Sequence, residues 1–599
     1  MKRNHHHIPI LRGSALCALC LLCTCTGALA VGNIHRSERP RDYRQEKCTG
    51  RLLDALRSMA GDDTVAVWIF FRGGDRTPLR GDADPARAAL VSSRAGRRIM
   101  RRAPGASMRG YLPVREGHID GVRGDVVRIR RVSRYFNAVS ADVQGGRIAS
   151  LCARPFVERI DRVAVYRRDS RCPSSSGRAR GEHLPAADPL CGIYGGSCTQ
   201  ISQIQAVELL EMGYNGSGAV TGDSPVLVCI LDTGFNLDHE ALEHVRVEAE
   251  WDFVQNDSIT ADQEGDLAGQ ERHGTAVLGA IAGHHEGDLI GPAWGAAYLL
   301  AKTEIEGQEM RIEEDNWIAA VEWADSAGAD VVTSSLGYVD WYGPEDKDGN
   351  TAFCTRAADI AVSHGIVVVN SAGNLGSFGG LTPPADGDSV ITVGAVYGDG
   401  TIVSFSSRGP TADGRTKPEL VAMGYNVHSV DHEINDGYGT YSGTSMAAPL
   451  VAGLCALMLE IHPEWSPIEV RNALLASATQ SDYPDNTYGY GIPRGAAASG
   501  IQISGIPEST AFSIGYPNPF RETTAFDLYL PALEPVTARI YDCSGALVRT
   551  LIDDRLLQCR WILTWDGTND AGREVAAGMY LLIVTSLSVQ RTAKVLYLP

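Results

Sequence analysis

Three polar residues at separate points of the chain carry the side chains that nucleophilic hydrolysis requires. Asp232 begins the sequence Asp-Thr-Gly, His273 lies in Arg-His-Gly-Thr, and Ser445 lies in Gly-Thr-Ser-Met-Ala-Ala-Pro. A serine hydroxyl becomes a strong nucleophile only when an imidazole takes its proton, and a carboxylate must then fix the tautomer and charge of that imidazole. Each motif alone is more often a turn or a helix start, but together the three side chains can form this proton relay.

A fourth polar residue can stabilise the negative charge that develops during such a reaction. Asn374 ends the sequence Ser-Ala-Gly-Asn, which follows an apolar run. Its side-chain amide and the backbone N–H of Ser445 are suitable donors for an oxyanion, and the loss of one such donor typically lowers the rate on the order of a hundredfold or more.

The elements that must position these residues have the pattern of an α/β fold. Short continuous apolar runs alternate with helical segments, which predicts a parallel sheet covered by helices on both faces. Catalytic groups of such sheets gather where the strands end. Ser445 precedes a stretch that is apolar on all sides, Leu450–Leu459, and this predicts a buried helix. The predicted strands are Pro225–Asp232, Asp330–Gly337, Gly365–Ser371 and Ser389–Val396.

In this order the four motifs resemble the signatures of the subtilisin-like serine proteases, the subtilase family, and the resemblance covers roughly residues 199–500. It implies a subtilisin-like parallel sheet sandwiched by helices. It also implies that Ser445 is the nucleophile, His273 the general base and then acid, Asp232 its orienting partner, and Asn374 the oxyanion donor. The implied function is a secreted serine endopeptidase that cleaves peptide bonds through an acyl-enzyme intermediate.

The resemblance also implies where substrate binds. Ser335, Leu336 and Gly337 would form the edge strand that pairs with the backbone of a protein or peptide substrate. The stretches expected to line the side-chain pocket, which include Ser371–Gly373 and Thr382, contain no charge. An uncharged substrate side chain is therefore expected.

Two other functions need to be weighed. A catalytically silent surface or adhesion protein could use the same fold as a scaffold, but such a protein should have lost a triad residue, and none is replaced here. An acid-acting relative that uses Glu as its base is disfavoured because His273 occupies that place.

The N-terminus has the three parts of a secretory signal peptide. Lys2, Arg3 and Arg12 precede the apolar run Ser14–Ala30, which ends in Ala-Leu-Ala. Residues 1–30 are therefore predicted to be a signal peptide of a bacterial protein that is secreted or held at the cell surface.

Three further segments follow the signal peptide. Residues 31–182 are predicted to contain a small α+β unit that resembles the inhibitory propeptide of the family, and the exposed linker Arg167–His183 marks the boundary. Residues 183–505 form the predicted peptidase domain. Residues 510–599 have short strands and turn signals, which predicts an all-β sandwich.

The C-terminal segment resembles the Ig-like domains of exported bacterial proteins and type IX secretion sorting domains. The resemblance depends on Tyr-Pro-Asn-Pro-Phe at residues 516–520 and on Ala-Gly-Met-Tyr at residues 577–580. It implies that export or cell-surface machinery is a partner of this segment.

Charge is unevenly distributed along the chain. Residues 31–182 have 32 Lys and Arg against 17 Asp and Glu, a net charge of +15, whereas residues 183–599 have 19 against 55, a net charge of −36. The acidic remainder would repel phosphate, so nucleic acid is not expected as a partner. The opposite charges favour association of the predicted propeptide with the enzyme as its inhibitor.

No cofactor is expected to be required, although calcium is possible as a structural ion. The resemblance implies a calcium site near Ala241 and the loop His284–Leu289, but Ala241 has no carboxylate and the loop is short. The acidic stretches Asp257–Asp266 and Glu304–Asp315 can bind calcium instead, although a solvated acidic face is the simpler interpretation.

The cysteine spacing of an exported chain suggests two disulfides. They would join Cys191 to Cys198 and Cys543 to Cys559.

Overall fold

The computed structural model describes most of the chain beyond residue 42. The predicted signal peptide and the linker Arg167–His183 lie outside the described residues. The described ranges are 43–73, 85–106, 108–163, 189–306, 310–339, 341–501, 511–512, 517–587 and 589–599.

The N-terminal region, residues 43–163, is the small α+β unit that the sequence predicts. Its four strands form an antiparallel sheet in the order β2-β3-β1-β4. Alternate side chains of β1 point to opposite faces. Val67 and Ile69 fill the core of this region, whereas Trp68 and Phe70 pack in the same apolar cluster as Phe353 of the next region. The elements are α1 (Tyr43–Lys47), α2 (Gly50–Ser58), β1 (Thr64–Phe71), α3 (Pro85–Ser92), α4 (Arg94–Arg102), α5 (Glu116–Arg123), β2 (Arg128–Ser133), β3 (Ala138–Gln144), α6 (Ile148–Ala153) and β4 (Val157–Arg162).

The central region, residues 189–501, has the alternation of strands and helices expected of an α/β fold. Its elements are α7 (Pro189–Tyr194), α8 (Cys198–Gln203), α9 (Val207–Glu211), β5 (Leu227–Asp232), β6 (Arg246–Asp252), α10 (Arg272–Ala282), β7 (His284–His285), β8 (Leu289–Ile290), β9 (Ala297–Lys302), α11 (Arg311–Ala327), β10 (Val331–Ser334), α12 (Phe353–Ser363), β11 (Val367–Ser371), α13 (Gly376–Gly379), β12 (Ile391–Val396), β13 (Leu420–Met423), β14 (Val427–Val430), β15 (Tyr438–Tyr441), α14 (Thr444–Ile461), α15 (Pro467–Ser477) and α16 (Gly495–Ala498).

A seven-stranded parallel sheet is the frame of this region, with strand order β13-β12-β11-β10-β5-β9-β6. Both faces are covered, because alternate residues of β5 enter different apolar cores. Val228 and Ile230 pack with α10 and α14, whereas Cys229 and Leu231 pack with α11 and α12. The predicted fold class is therefore confirmed.

The sequence missed three strands of this sheet. β6 is an edge strand with one buried residue and the polar sequence Arg-Val-Glu-Ala-Glu-Trp-Asp, and β13 has only four residues. β9 is fully buried, but its sequence Ala-Tyr-Leu-Leu-Ala-Lys is rich in residues that favour helices. Neighbouring strands give these segments their conformation, which local composition does not indicate.

Helix α14 is long and apolar enough to cross a membrane, yet 94% of its apolar window is buried inside the protein. Pro449 is the sixth residue of this helix and has no N–H to donate to the carbonyl of Ser445, which accepts a hydrogen bond from the hydroxyl of Ser335 instead. α14 is thus the buried helix expected after Ser445.

The C-terminal region is an antiparallel all-β structure, as expected. Two of its strands are longer than the short strands that the sequence predicts, because β17 and β18 each contain 19 residues and pair with several register shifts. The strands are β16 (Ala511–Phe512), β17 (Thr524–Asp542), β18 (Leu547–Trp565), β19 (Gly578–Thr585) and β20 (Gln590–Tyr597).

Candidate active site

Asp232 and His273 are brought together where β5 ends and α10 begins. Asp232 is the last residue of β5 and is fully buried. His273 Nδ1 lies 2.7 Å from Asp232 Oδ1, which also accepts a hydrogen bond of 2.8 Å from the backbone N–H of Thr233. A carboxylate fixed in this way can hold the proton of His273 on Nδ1 and leave Nε2 as the basic nitrogen.

Gly274 makes this close approach possible. A Cβ at Gly274 would lie 2.1 Å from the carbonyl oxygen of Gly234 and 3.0 Å from Asp232 Cβ. The first turn of α10 can therefore lie directly against the end of β5 only because this position has no side chain.

The charge of Asp232 tunes His273. Burial alone would lower the pKa of His273, but the negative charge of Asp232 and the hydrogen bond to it outweigh burial and hold the pKa above its usual value. About 30% of the side chain remains exposed, whereas Asp232 has no exposure. The imidazole is thus anchored on one side and open on the other.

Ser445 lies in the first turn of α14, beside the empty position of a glycine side chain. A Cβ at Gly443 would lie 2.6 Å from Ser445 Oγ, 3.4 Å from Asn374 Nδ2 and 3.6 Å from Ser445 N. One small volume is therefore bordered by the hydroxyl and by the two N–H donors that the sequence assigned to an oxyanion.

The amide of Asn374 is oriented by Thr444. Asn374 Oδ1 accepts hydrogen bonds from the backbone N–H and the hydroxyl of Thr444, at 2.9 and 3.0 Å. The Thr444 hydroxyl in turn accepts one from the backbone N–H of Gly373 at 3.1 Å. Because the carbonyl end of the amide is held, its NH₂ end faces Gly443 and Ser445.

Sequence reasoning gave no role to Thr444 or to the hydroxyl of Ser335. Ser335 Oγ donates a hydrogen bond of 2.7 Å to the backbone carbonyl of Ser445 and thereby braces the start of α14. The position of Thr444 next to Ser445 could have indicated a role in the site. Ser335 and Ser445 are 110 positions apart, so no local sequence pattern indicates their hydrogen bond.

The predicted substrate segment lies beyond the sheet. β10 ends at Ser334, so Ser335, Leu336 and Gly337 follow the strand instead of continuing it. The carbonyl of Leu336 accepts a hydrogen bond of 3.0 Å from the side chain of Asn370.

The stretches expected to line the side-chain pocket meet at Thr382. A Cβ at Gly337 would lie 2.1 Å from Thr382 Oγ1, and one at Gly373 would lie 2.6 Å from Thr382 Cγ2. The two glycines therefore let both segments pass close to this buried threonine.

The expectation of a solvated acidic face at Glu304–Asp315 is wrong. Glu304, Glu313, Glu314 and Asp315 are all buried. Their carboxylates have hydrogen-bond partners inside the protein, such as the hydroxyl of Tyr338 on Glu304, so burial does not leave them unpaired.

In the other acidic stretch, Asp266 pairs with a buried lysine. Lys302 Nζ lies 2.5 Å from Asp266 and 3.1 Å from Asp252, and its side chain has no exposure. The carboxylate of Asp266 is therefore held by an ammonium group, which disfavours a cation beside it.

Near Ala241 and the loop His284–Leu289, where the resemblance implies a calcium site, the structure has a different set of possible ligands. One ligand atom each from Glu240, His285 and Asp288 lies within 4.8 Å of the others. Calcium prefers six to eight oxygen ligands. This group offers two carboxylates and an imidazole whose Nδ1 lies 2.9 Å from Asp288, so the residues do not fit calcium.

The predicted disulfides have different outcomes. Cys543 is an exposed free thiol, and the backbone of Cys559 pairs with Leu530, so the pairing of Cys543 with Cys559 is wrong. Cys198 is disulfide-bonded, but the side chain of Cys191 lies outside the described residues.

The chain is similar in sequence to known proteins of one family. The sequence profile of the subtilase family matches residues 223–491. Subtilisin from Bacillus pumilus is 37% identical over 298 residues, which are 49% of this chain and 94% of that protein. The chain belongs to the subtilase family. Subtilisin E from Bacillus subtilis is also 37% identical, over 68% of its length, and Subtilisin BL from Lederbergia lenta is 31% identical over 97%. This subtilase is a serine-type endopeptidase.

Proposed function

We propose that this subtilase hydrolyses peptide bonds with Asp232, His273 and Ser445 as its catalytic triad. His273 Nε2 takes the proton of the Ser445 hydroxyl while Oγ attacks the substrate carbonyl carbon. The imidazolium then gives that proton to the departing amine, which leaves an acyl-enzyme. A water molecule, deprotonated by His273, then attacks the acyl-enzyme. The carboxylic acid product leaves, and the proton returns to Ser445 Oγ. The observation that carries this proposal is the buried Asp232 carboxylate 2.7 Å from His273 Nδ1.

The oxyanion of each tetrahedral intermediate would be bound by the Asn374 amide and the Ser445 backbone N–H. Both donors border the volume beside Gly443 and are held before substrate arrives, so their alignment costs little during the reaction. No cofactor takes part in these steps, and activity should survive treatment with a metal chelator.

Substrate would lie along Ser335, Leu336 and Gly337 as an added strand, with an uncharged side chain near Thr382. β10 ends before these residues, and Leu336 and Gly337 are partly exposed, which supports this placement. Cleavage of a mixed peptide library, read by mass spectrometry, would reveal a preference for charged side chains if the pocket assignment is wrong.

A fluorophosphonate probe tests the triad directly, because it reacts only with an activated serine. The processed wild-type protein should be labelled at Ser445, whereas Ser445→Ala and His273→Ala should be unlabelled and unable to digest casein. Labelling of Ser445→Ala would contradict the assignment. A folded wild-type protein without label would favour the silent scaffold.

We also propose that the N-terminal region is a propeptide that assists folding and inhibits the enzyme. It packs on α11 and α12, and its buried Arg130 lies 3.0 Å from Asp315 of α11. Release would follow cleavage within Arg167–His183. The mature N-terminus should map to that linker, and a mature N-terminus before Cys152 would overturn the proposal.

Residues 1–30 would direct export, and residues 510–599 would serve export or cell-surface attachment. The sequence features of a signal peptide and of a sorting-like domain support these roles. Fractionation of cells that express the full chain, with and without residues 510–599, tests both.

A further inference from the structure

Helix α4 of the N-terminal region contacts the central region far from the candidate active site. Its Arg94, Arg98 and Arg102 are four residues apart and therefore share one face of the helix, called here the arginine face. They reach residues that precede β5 and β10, whereas Asp232 ends β5. Because β5 has six residues, this contact lies about 20 Å from the site.

Arg98 is almost completely enclosed. Its side chain is 1% exposed and forms an ion pair with Asp325, which has no exposure. Arg98 Nη1 donates to the carbonyl of Ala329 at 2.6 Å, and Nε donates to that of His364 at 3.2 Å. Every edge of the guanidinium thus has an acceptor in the central region.

Arg94 and Arg102 share Asp330. Arg102 Nη1 and Arg94 Nη2 each lie 2.8 Å from one of its two carboxylate oxygens. Burial would raise the pKa of Asp330, but these two charges hold it below its usual value. Arg102 Nε also donates to the carbonyl of Pro463 at 2.8 Å, and Arg94 Nη2 to that of Pro225 at 2.6 Å.

Several of these acceptors lie just past helix C-termini. Ala329 follows α11, His364 follows α12 and Pro463 follows α14. The C-terminus of a helix carries the negative end of the helix dipole, so a cation bound beside these termini is stabilised.

The central region also has space for α4. A Cβ at Gly328 would lie 2.7 Å from Arg94 Cβ, and its φ of +91° favours glycine. At Gly365 a Cβ would lie 3.3 Å from Arg102 Cβ. The backbone of α4 can thus approach the ends of α11 and α12 closely.

We propose that Asp325, Asp330 and these helix C-termini form a guanidinium-binding site whose ligand is the arginine face of α4. The site is a second anchor for the N-terminal region, separate from the packing of Trp68 and Phe70 on α12. It keeps the N-terminal region attached after the linker is cut. If that region inhibits the enzyme as proposed above, cutting the linker alone leaves the enzyme inhibited until α4 is released.

The test uses the full chain with Ser445→Ala and with a recognition sequence for a specific protease inserted between residues 176 and 177. After cleavage, the rate at which the N-terminal fragment separates is followed by gel filtration. Arg98→Met and Arg102→Met should each raise this rate about a hundredfold, because truncating one partner of a buried ion pair acts mainly on dissociation. The readout needs no catalysis, so it is independent of the triad.

Arg97→Met is the matched control. Arg97 lies on the same helix but is exposed, and its Nη1 donates only to the nearby carbonyl of Ser92 at 2.6 Å. This variant should separate at the unchanged rate. Arg102→Lys keeps the charge but not the forked geometry, and its rate should lie between those of wild type and Arg102→Met.

Thermal unfolding of each uncut chain reports whether the variant folds. If Arg98→Met does not fold, Arg94→Met replaces it, because the Arg94 side chain is 29% exposed and the change is milder; a tenfold faster separation is then expected. Separation of the arginine-face variants at the rate of Arg97→Met would overturn the proposal.

Discussion

Gly443 and Thr444 position the groups proposed to bind the oxyanion. Gly443 leaves open the volume between Ser445 Oγ and the two N–H donors, and Thr444 holds one end of the Asn374 amide. Neither residue would take part in bond breaking. Their effect is to fix donors before the transition state forms, which is where such donors contribute most.

Gly443→Ala should therefore lower kcat by at least about a hundredfold, since the new methyl group fills the space proposed for the oxyanion. The Cβ would lie 2.6 Å from Ser445 Oγ. Steady-state hydrolysis of a chromogenic peptide measures the effect, and an unchanged melting temperature shows that the fold is intact. Near-normal kcat in Gly443→Ala would place the oxyanion elsewhere.

The raised pKa of His273 sets the pH dependence. Only neutral imidazole can act as the base, so activity should be lost as pH falls through the pKa of His273. Because Asp232 raises that pKa, the midpoint of kcat/KM should lie above the ordinary histidine value of about 6.5. A profile of kcat/KM between pH 5 and 9 measures it. A midpoint near pH 4 would indicate a carboxylate base.

At the scale of elements, the site depends on how closely α10 approaches β5. Helix propensity alone favours alanine over glycine by about 1 kcal/mol. At Gly274, however, a Cβ would lie 2.1 Å from the carbonyl oxygen of Gly234, so the two elements must move apart. The steric overlap outweighs the gain in propensity.

Gly274→Ala should abolish most activity and lower the melting temperature, because it separates His273 from Asp232. Gly117→Ala is a suitable control: Gly117 also lies in a helix, α5, but its Cβ would meet nothing within 4 Å. The control should keep or slightly raise the melting temperature. Equal behaviour of the two variants in kinetics and thermal unfolding would contradict this account.

At the scale of the whole molecule, the residues proposed for catalysis all precede the C-terminal region. That region has its own apolar core, which includes Phe526, Ile540 and Trp565. A core of this kind can form without contributions from the site.

A chain that ends after residue 505 should therefore hydrolyse small peptides with unchanged kcat/KM. The same truncation should abolish cell-surface attachment if the sorting-like role is correct. Kinetics on a chromogenic peptide and cell fractionation separate the two effects. Loss of peptide hydrolysis by a folded truncated enzyme would show that the C-terminal region supports the site.

The sequence by itself determined the parts of this protein that have local signals. The apolar runs predicted β5, β10, β11 and β12, because buried parallel strands have apolar side chains on both faces. The motif around Ser445 predicted a helix start and a buried helix. Motif order together with these elements was enough to predict the family and its activity.

Only the tertiary structure decided how distant residues meet. The charges of Glu304–Asp315 predicted a face exposed to solvent, but these carboxylates are buried. Charge alone does not indicate a hydrogen-bond partner inside the protein, such as the Tyr338 hydroxyl that donates to Glu304. The same holds for the arginine face of α4, whose basic sequence would suit any exposed helix. Its acceptors lie more than a hundred residues away along the chain, and packing alone brings them within hydrogen-bond distance.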